Sequence, residues 1–232
     1  VINSTKVAGP SSVASPKSPG VVTSPATGTS VGDESPPYQS QEPHGLVVGA
    51  GAFDIKCVGT LNGHVGPVWS LASGNGFIVS GSSDSYVRVW RTNTGQCVEC
   101  FGGHKGICYS VAVRGNLIFS GGSDKLIKVW SLKRRTCVRT ITDCNTVCKL
   151  LIIGDYLLSG SLRAINVWDL NNNYEHVRTL EGHNHWVRSM VVDEKFLYSG
   201  AHNSIKVWDV SNFNCIKTIK GHFSSIYSLE IY

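Results

Sequence analysis

No run of apolar residues in this 232-residue chain approaches the roughly 20 that a membrane-spanning helix needs, and no cationic stretch followed by an apolar one opens it. The chain is therefore expected neither to cross a bilayer as a helix nor to start on a secretory leader. It begins with Val1 rather than methionine, so the natural N-terminus is expected upstream. Aromatic residues are almost missing from residues 1–50, where Tyr38 stands alone, and proline is almost missing afterwards, with Pro67 the single case among the eight. A segment rich in Ser, Gly, Thr and Pro buries too little apolar surface to offset chain entropy. Residues 1–50 therefore read as a disordered linker and residues 51–232 as the folded part, for which the 41% apolar content supplies a core.

Concentrated charge is also lacking. The linker has two Lys against three acidic residues, net −1, and the remainder has 19 Lys and Arg against 13 acidic residues, net +6. These cations are scattered, apart from Lys133-Arg134-Arg135, which reads as the solvated tip of a turn. Without a focused basic stripe, nucleic-acid binding is disfavoured; it would require strong salt dependence carried by those three residues.

The eight cysteines lack the spacing of a zinc centre or a disulfide framework. Cys97 and Cys100 form one CxxC with no second behind it, and no Cys and His array builds the paired zinc sites of a RING. Cys57, Cys97 and Cys215 each stand seven residues ahead of a Gly-His histidine and Cys137 six ahead of its counterpart Asp143, so they are expected to be buried packing residues. Unpaired thiols imply a reducing compartment, the cytoplasm first and the nucleus second. Neither a metal nor a cofactor is expected.

What is present is a repeat of 38 to 40 residues closing on a strand that ends in tryptophan: YVRVWRT (Tyr86 to Thr92), LIKVWSL (Leu126 to Leu132), INVWDL (Ile165 to Leu170) and IKVWDV (Ile205 to Val210). Gly-His pairs fall at Gly63-His64, Gly103-His104, Gly182-His183 and Gly221-His222. In the first repeat VWSLA, FIVSG, YVRVW and QCVECF alternate as strands, separated by turns such as Gly74-Asn75-Gly76 and Asn93-Thr94-Gly95. Such a period with a GH and WD signature marks four-stranded blades, so the expected class is all-β and the expected architecture a β-propeller.

From about Phe53 to Tyr232 the chain resembles WD40 repeats. Beyond the generic pattern, CVGTLNGHVGPVW, LLSGSLRAINVWDL and NHWVRSMVVDEKFLYSGAHNSIKVWDV resemble repeats of the TNF receptor-associated factor family, in a member that is a RING-type E3 ubiquitin ligase with a C-terminal WD40 propeller. The resemblance implies structural roles for His64, Ser80, Asp84 and Trp90, and for His104, Ser120, Asp124 and Trp130, as a hydrogen-bond network within each blade. Trp168, His183 and Trp208 take the matching places in the later repeats. The residue types mimic a Ser, His and acid triad, but recurrence in successive blades assigns packing, and no catalytic residue is expected. The third and fourth repeats, SGSLRAINVW and SGAHNSIKVW, are one residue shorter and lack the aspartate. Thr142-Asp143 also replaces Gly-His in the third, so these blades are expected to lean on apolar packing.

The chain supplies a leading strand near Ile55 to Leu61, four repeats, and a fifth that stops inside its first strand, whereas a WD40 ring usually has seven blades. It therefore reads as an incomplete propeller, a fragment whose missing remainder would cover its exposed edges. In WD40 proteins the third and fifth residues after the GH histidine tend to point to the top of the central channel. The fifth-position residues are Trp69, Tyr109, Cys148, Arg188 and Tyr227, and the third-position ones are Pro67, Ile107, Thr146, Trp186 and Ser225. From these, Trp69, Tyr109, Trp186, Arg188 and Tyr227 are the expected partner-binding residues, since exposed aromatics and arginine dominate interface energy. A single arginine among aromatics suits an unphosphorylated protein partner. In the linker Ser15, Ser18, Ser24 and Ser35 precede proline and are candidate phosphorylation sites. The expected function is a protein-docking platform, the substrate- or partner-docking region of a RING-type E3 ubiquitin ligase in MAP kinase signalling. The resemblance implies a MAP kinase kinase kinase or a ubiquitination substrate as partner. The alternative is a non-enzymatic WD40 scaffold without ligase activity, separated from the first by the absence of a RING array upstream.

Overall fold

The computed structural model describes residues 56–231, so the linker and its four Ser-Pro sites lie outside the described residues. Sixteen strands form four sheets, each an antiparallel meander of four strands in chain order. Blade 1 holds β1 (Val68–Gly74), β2 (Phe77–Ser82), β3 (Tyr86–Arg91) and β4 (Cys97–Gly102). Blade 2 holds β5 (Cys108–Arg114), β6 (Leu117–Gly122), β7 (Leu126–Ser131) and β8 (Thr136–Thr142). Blade 3 holds β9 (Lys149–Ile153), β10 (Tyr156–Gly160), β11 (Leu162–Asp169) and β12 (Glu175–Trp186). Blade 4 holds β13 (Ser189–Val192), β14 (Phe196–Gly200), β15 (His202–Asp209) and β16 (Cys215–Ser225). Among the described residues no helix is long and apolar enough to cross a membrane.

Strand alternation sends one set of side chains toward each neighbouring blade, so the apolar core lies between sheets rather than within them. Val79, Val87, Val89 and Phe101 of blade 1 pack on Cys108, Val111, Ile118 and Trp130 of blade 2. Phe119, Ile127 and Ile141 of blade 2 meet Leu150, Leu157 and Trp168 of blade 3. Leu158, Ile165 and Leu180 of blade 3 meet Met190, Leu197 and Trp208 of blade 4. The innermost strands follow one another, β1 against β5, β5 against β9 and β9 against β13. Serines tie them together: Ser70 Oγ accepts from Val111 N at 3.1 Å and Ser110 Oγ from Leu150 N at 2.9 Å.

Both ends of this series are uncovered. Leu71 is 66% exposed on β1, whereas Val111, Leu150 and Met190, at the same place on the next three innermost strands, are 5%, 2% and 4% exposed. On the outermost strands Ile219 is 41% exposed, against 6%, 7% and 2% for Phe101, Ile141 and Leu180. Burying one such side chain stabilises by about 1.5–3 kcal/mol, a gain that the two outer faces forgo.

Three sequence expectations change here. The leading strand expected near Ile55 to Leu61 is not formed within the described residues, since residues 56–67 carry no strand. Residues 226–231 of the fifth repeat likewise carry no strand, although Ile226 docks on blade 4 through Ile226 N to Ala201 O at 2.9 Å. The recurrent cysteines are not buried: Cys97 and Cys137 are half-buried and Cys57 and Cys215 exposed, all of them free. Cys97, Cys137 and Cys215 pair with Trp90, Trp130 and Trp208 on the outermost strands, each beside a bulge. That edge is open to solvent, and each thiol donates to the carbonyl two residues on, at 3.3, 3.2 and 3.6 Å.

Candidate functional site

Inside blade 1 the indole N–H of Trp90 donates to Ser80 Oγ at 2.8 Å, Ser80 lies 2.8 Å from His64 Nε2, and His64 Nδ1 lies 2.7 Å from Asp84 Oδ2. Blade 2 repeats this with Trp130, Ser120, His104 and Asp124 at 2.7, 2.7 and 2.9 Å. A carboxylate can only accept, so Nδ1 carries the proton and the serine hydroxyl donates to Nε2. The hydroxyl is thus both buried and fully engaged, which leaves no nucleophile to attack a substrate. Burial alone would raise the Asp84 carboxyl, but His64 and the backbone N–H groups of Tyr86 and Val65 outweigh it and hold the group below its ordinary range.

Blade 3 departs from the apolar packing expected of it. Asp143 occupies the place of the histidine, accepting from Ser159 Oγ at 2.6 Å and from Asn166 Nδ2 at 2.9 Å, while Trp168 donates to Ser159 at 2.9 Å. Thr179 completes the set by donating to Asn166 Oδ1 at 2.8 Å. Asn166 stands where the other repeats have Arg88, Lys128 and Lys206, and that single amide in INVW was the legible signal for a rebuilt network. Blade 4 does lose part of its network. His183 Nε2 is 2.7 Å from Ser199 Oγ and Trp208 donates to the same oxygen at 2.8 Å, but His183 Nδ1 is buried without a partner. Burial pushes His183 down to about 4, with nearby Lys206 adding to it.

The loops that join blades and the turns between second and third strands lie at one end, bonded to each other through Ser83 N to Pro67 O, Ser123 N to Ile107 O and Val187 N to Ser161 O. There the innermost strands converge on a cleft of about 130 Å³ lined by Trp69, Tyr109, Cys148, Arg188 and Tyr227, the fifth-position residues of all five repeats. Trp69 and Tyr109 meet edge to face at 5.5 Å, and the Arg188 guanidinium lies over Tyr227 at 5.3 Å. Trp69 and Tyr227 are 51% and 68% exposed, so both keep area for a ligand. Trp186 is not brought to the cleft: it is half-buried at the end of β12, opposite Leu162.

Sequence reasoning missed Lys149, which also lines the cleft. The signal was the residue after each fifth position, which is Ser70, Ser110, Ser189 and Ser228 in four repeats and Lys149 in the third. Burial lowers the Lys149 amine below its ordinary range and raises the Cys148 thiol, the latter opposed by Arg188. Among the described residues no three His, Cys, Asp or Glu side chains gather to hold a metal. Aromatic walls with two cations can bind a ligand.

The WD domain, G-beta repeat family matches residues 55–91, 95–131 and 174–209, and Asp143, Ser159, Asn166 and Trp168 fall between the matched stretches. The chain is similar to the E3 ubiquitin-protein ligase TRAF7 of Mus musculus, 48% identical over 190 residues, covering 78% of this chain and 32% of that protein. The Homo sapiens counterpart is likewise 48% identical, with 78% of this chain and 28% of its own length covered. The chain thus spans about a third of the length of these curated relatives. Among solved structures, the WD40 β-propeller domain of Doa1 superposes with a TM-score of 0.68 at 25% identity, over 73% of this chain and 59% of that one. U3-55K superposes at 0.66 with 23% identity, over 72% and 55%, a likeness of fold. The computationally designed Ika4 protein matches at 0.59 with 26% identity, over 65% of this chain and 96% of its own.

Proposed function

Because the chain is built of WD40 repeats, we propose that it docks a protein partner at the cleft where its innermost strands converge, as the partner- or substrate-docking region of a RING-type E3 ubiquitin ligase acting in MAP kinase signalling. The observation that carries this is the meeting of five fifth-position side chains at one end, two of them large aromatics left more than half exposed. Rigid aromatics of this kind contribute about 2 kcal/mol or more each when an interface buries them. The partner is a MAP kinase kinase kinase or a ubiquitination substrate. The uncovered Leu71 and Ile219 faces serve as seats for further blades, which would complete the ring.

Capture of proteins from a cell lysate, compared between the chain and its Trp69→Ala and Tyr109→Ala variants, tests the docking site. A specific set of proteins lost from both variants supports it; a set retained by both overturns it. The ligase reading is tested separately by peptide mapping of the endogenous protein. A product much larger than 25.1 kDa with a cysteine- and histidine-rich RING array supports it, whereas a larger product without that array favours the non-enzymatic scaffold.

A further inference from the structure

The cleft carries charge that nothing in the described structure neutralises. At the place where Ser70 and Ser110 hydrogen-bond to the neighbouring innermost strand, and where Ser189 Oγ donates to Ile226 O at 3.0 Å, the third blade has Lys149. The lysine gives up that inter-blade bond and brings an ammonium to the cleft instead. Arg188 reaches the same space, and its Nε is buried without a hydrogen-bond partner. Ion pairs among the described residues join Arg114 to Asp155 and Arg135 to Glu99, and histidines to Asp84 and Asp124; neither cation of the cleft takes part.

The surroundings carry both signs, and only the cations reach the cleft. Lys105 and Lys125 stand exposed on the loops and turns at this end, and Arg163 at the start of β11. The carboxylates at this end include Asp84, Asp124 and Asp143, which accept hydrogen bonds from their own blades, and exposed Glu181 opposite Ala164, but none of them lines the cleft. Asp155, Asp169, Asp193 and Asp209 sit at the opposite end of the sheets. Cations in a low-dielectric cleft with no internal counter-charge focus the field on an incoming anion. A cleft of about 130 Å³ accommodates one side chain rather than a folded element. A phosphate reader would assemble several guanidinium groups, and here there is one beside an amine, a set that suits a single carboxylate.

We propose that the cleft binds an aspartate or glutamate side chain of an extended acidic peptide, clamped by Lys149 and Arg188, with an apolar neighbour of that residue resting on Trp69 and Tyr109. This assignment rests on the docking reading above and names the chemistry of what docks.

Selection of a random twelve-residue peptide library on the 232-residue chain tests it, followed by affinity measurement on the best synthetic peptide. Enriched peptides are expected to carry Asp or Glu next to an aromatic or aliphatic residue. Changing that acid to its amide, or changing the chain by Lys149→Ser or Arg188→Gln, is expected to weaken binding about tenfold or more, the effect of removing one partner of a desolvated charge pair. Lys149→Ser restores the residue used by the other blades, so its fold is protected. Enrichment of peptides without an acid, no enrichment at all, or affinity unchanged in both variants overturns the proposal. A phosphoserine peptide binding more than tenfold tighter than its glutamate twin also overturns it, in favour of phosphate recognition. In each of those cases, loss of lysate proteins from Trp69→Ala would still uphold the docking site, so the two readings fail separately.

Discussion

Replacing Asp143 by alanine removes the acceptor shared by Ser159 and Asn166, whose donors lie 2.6 and 2.9 Å from it. Ser159, Asp143 and Asn166 are 0%, 2% and 5% exposed, so water cannot take over the lost bonds. A buried donor left without a partner costs about 1–3 kcal/mol, and two of them, less what is recovered by not burying a carboxylate, come to a net loss of about 2–4 kcal/mol. Asp143→Asn keeps one carbonyl acceptor but turns its amide NH2 toward a second donor, for a loss of about 1–2 kcal/mol. If blade 3 rested on apolar packing, as its sequence suggests, both variants would cost under about 1 kcal/mol. Urea unfolding followed by tryptophan fluorescence measures this, with the denaturant slope checked because a change in slope would signal loss of cooperativity. Asp143→Ala lying within about 0.5 kcal/mol of the parent at an unchanged slope would refute the reasoning.

Two further outcomes follow from the same structure. His183 titrates at about 4 when folded against an ordinary 6.5, so between those values the unfolded chain holds a proton that the folded one does not. Its contribution is complete above about pH 6.5 and is lost as pH falls toward 4, by up to about 3 kcal/mol, and His183→Gln should flatten that part of the pH–stability curve; a parallel curve would count against the buried neutral imidazole. Leu71→Ser should change the stability of this chain by under about 0.5 kcal/mol, whereas Val111→Ala, at the equivalent covered place, should cost about 1.5–3 kcal/mol. Equal losses in thermal unfolding would mean that the first blade's face is covered in solution.

Much of the fold was legible because its determinants are local. The alternation of VRVW, IKVW and their relatives, with turn residues such as Asn75 and Gly95 at positive φ, sets strand and hairpin before any distant contact forms. The convergence of Trp69, Tyr109, Cys148, Arg188 and Tyr227 was also readable, since one position of a repeat returns to one place in successive blades. Trp186, two residues before Arg188, was misplaced because strand β12 runs on to it and pairs it with Leu162 instead of turning it inward.

By itself the sequence determined the repeat period, the four strands of each blade, the tryptophan and serine that meet inside it, and the ring position that faces the cleft. Only the tertiary structure decided that Asp143 and Asn166, 23 residues apart, rebuild the missing histidine network, that Lys149 joins Arg188, and that the recurrent cysteines lie at a solvent-facing edge. It also decided that residues 56–67 form no strand, while Leu71 and Ile219 stay exposed. The division has a physical cause: strand periodicity and turn chemistry act within a few residues. A buried polar group or an apolar face is satisfied or left open only by what another blade places against it.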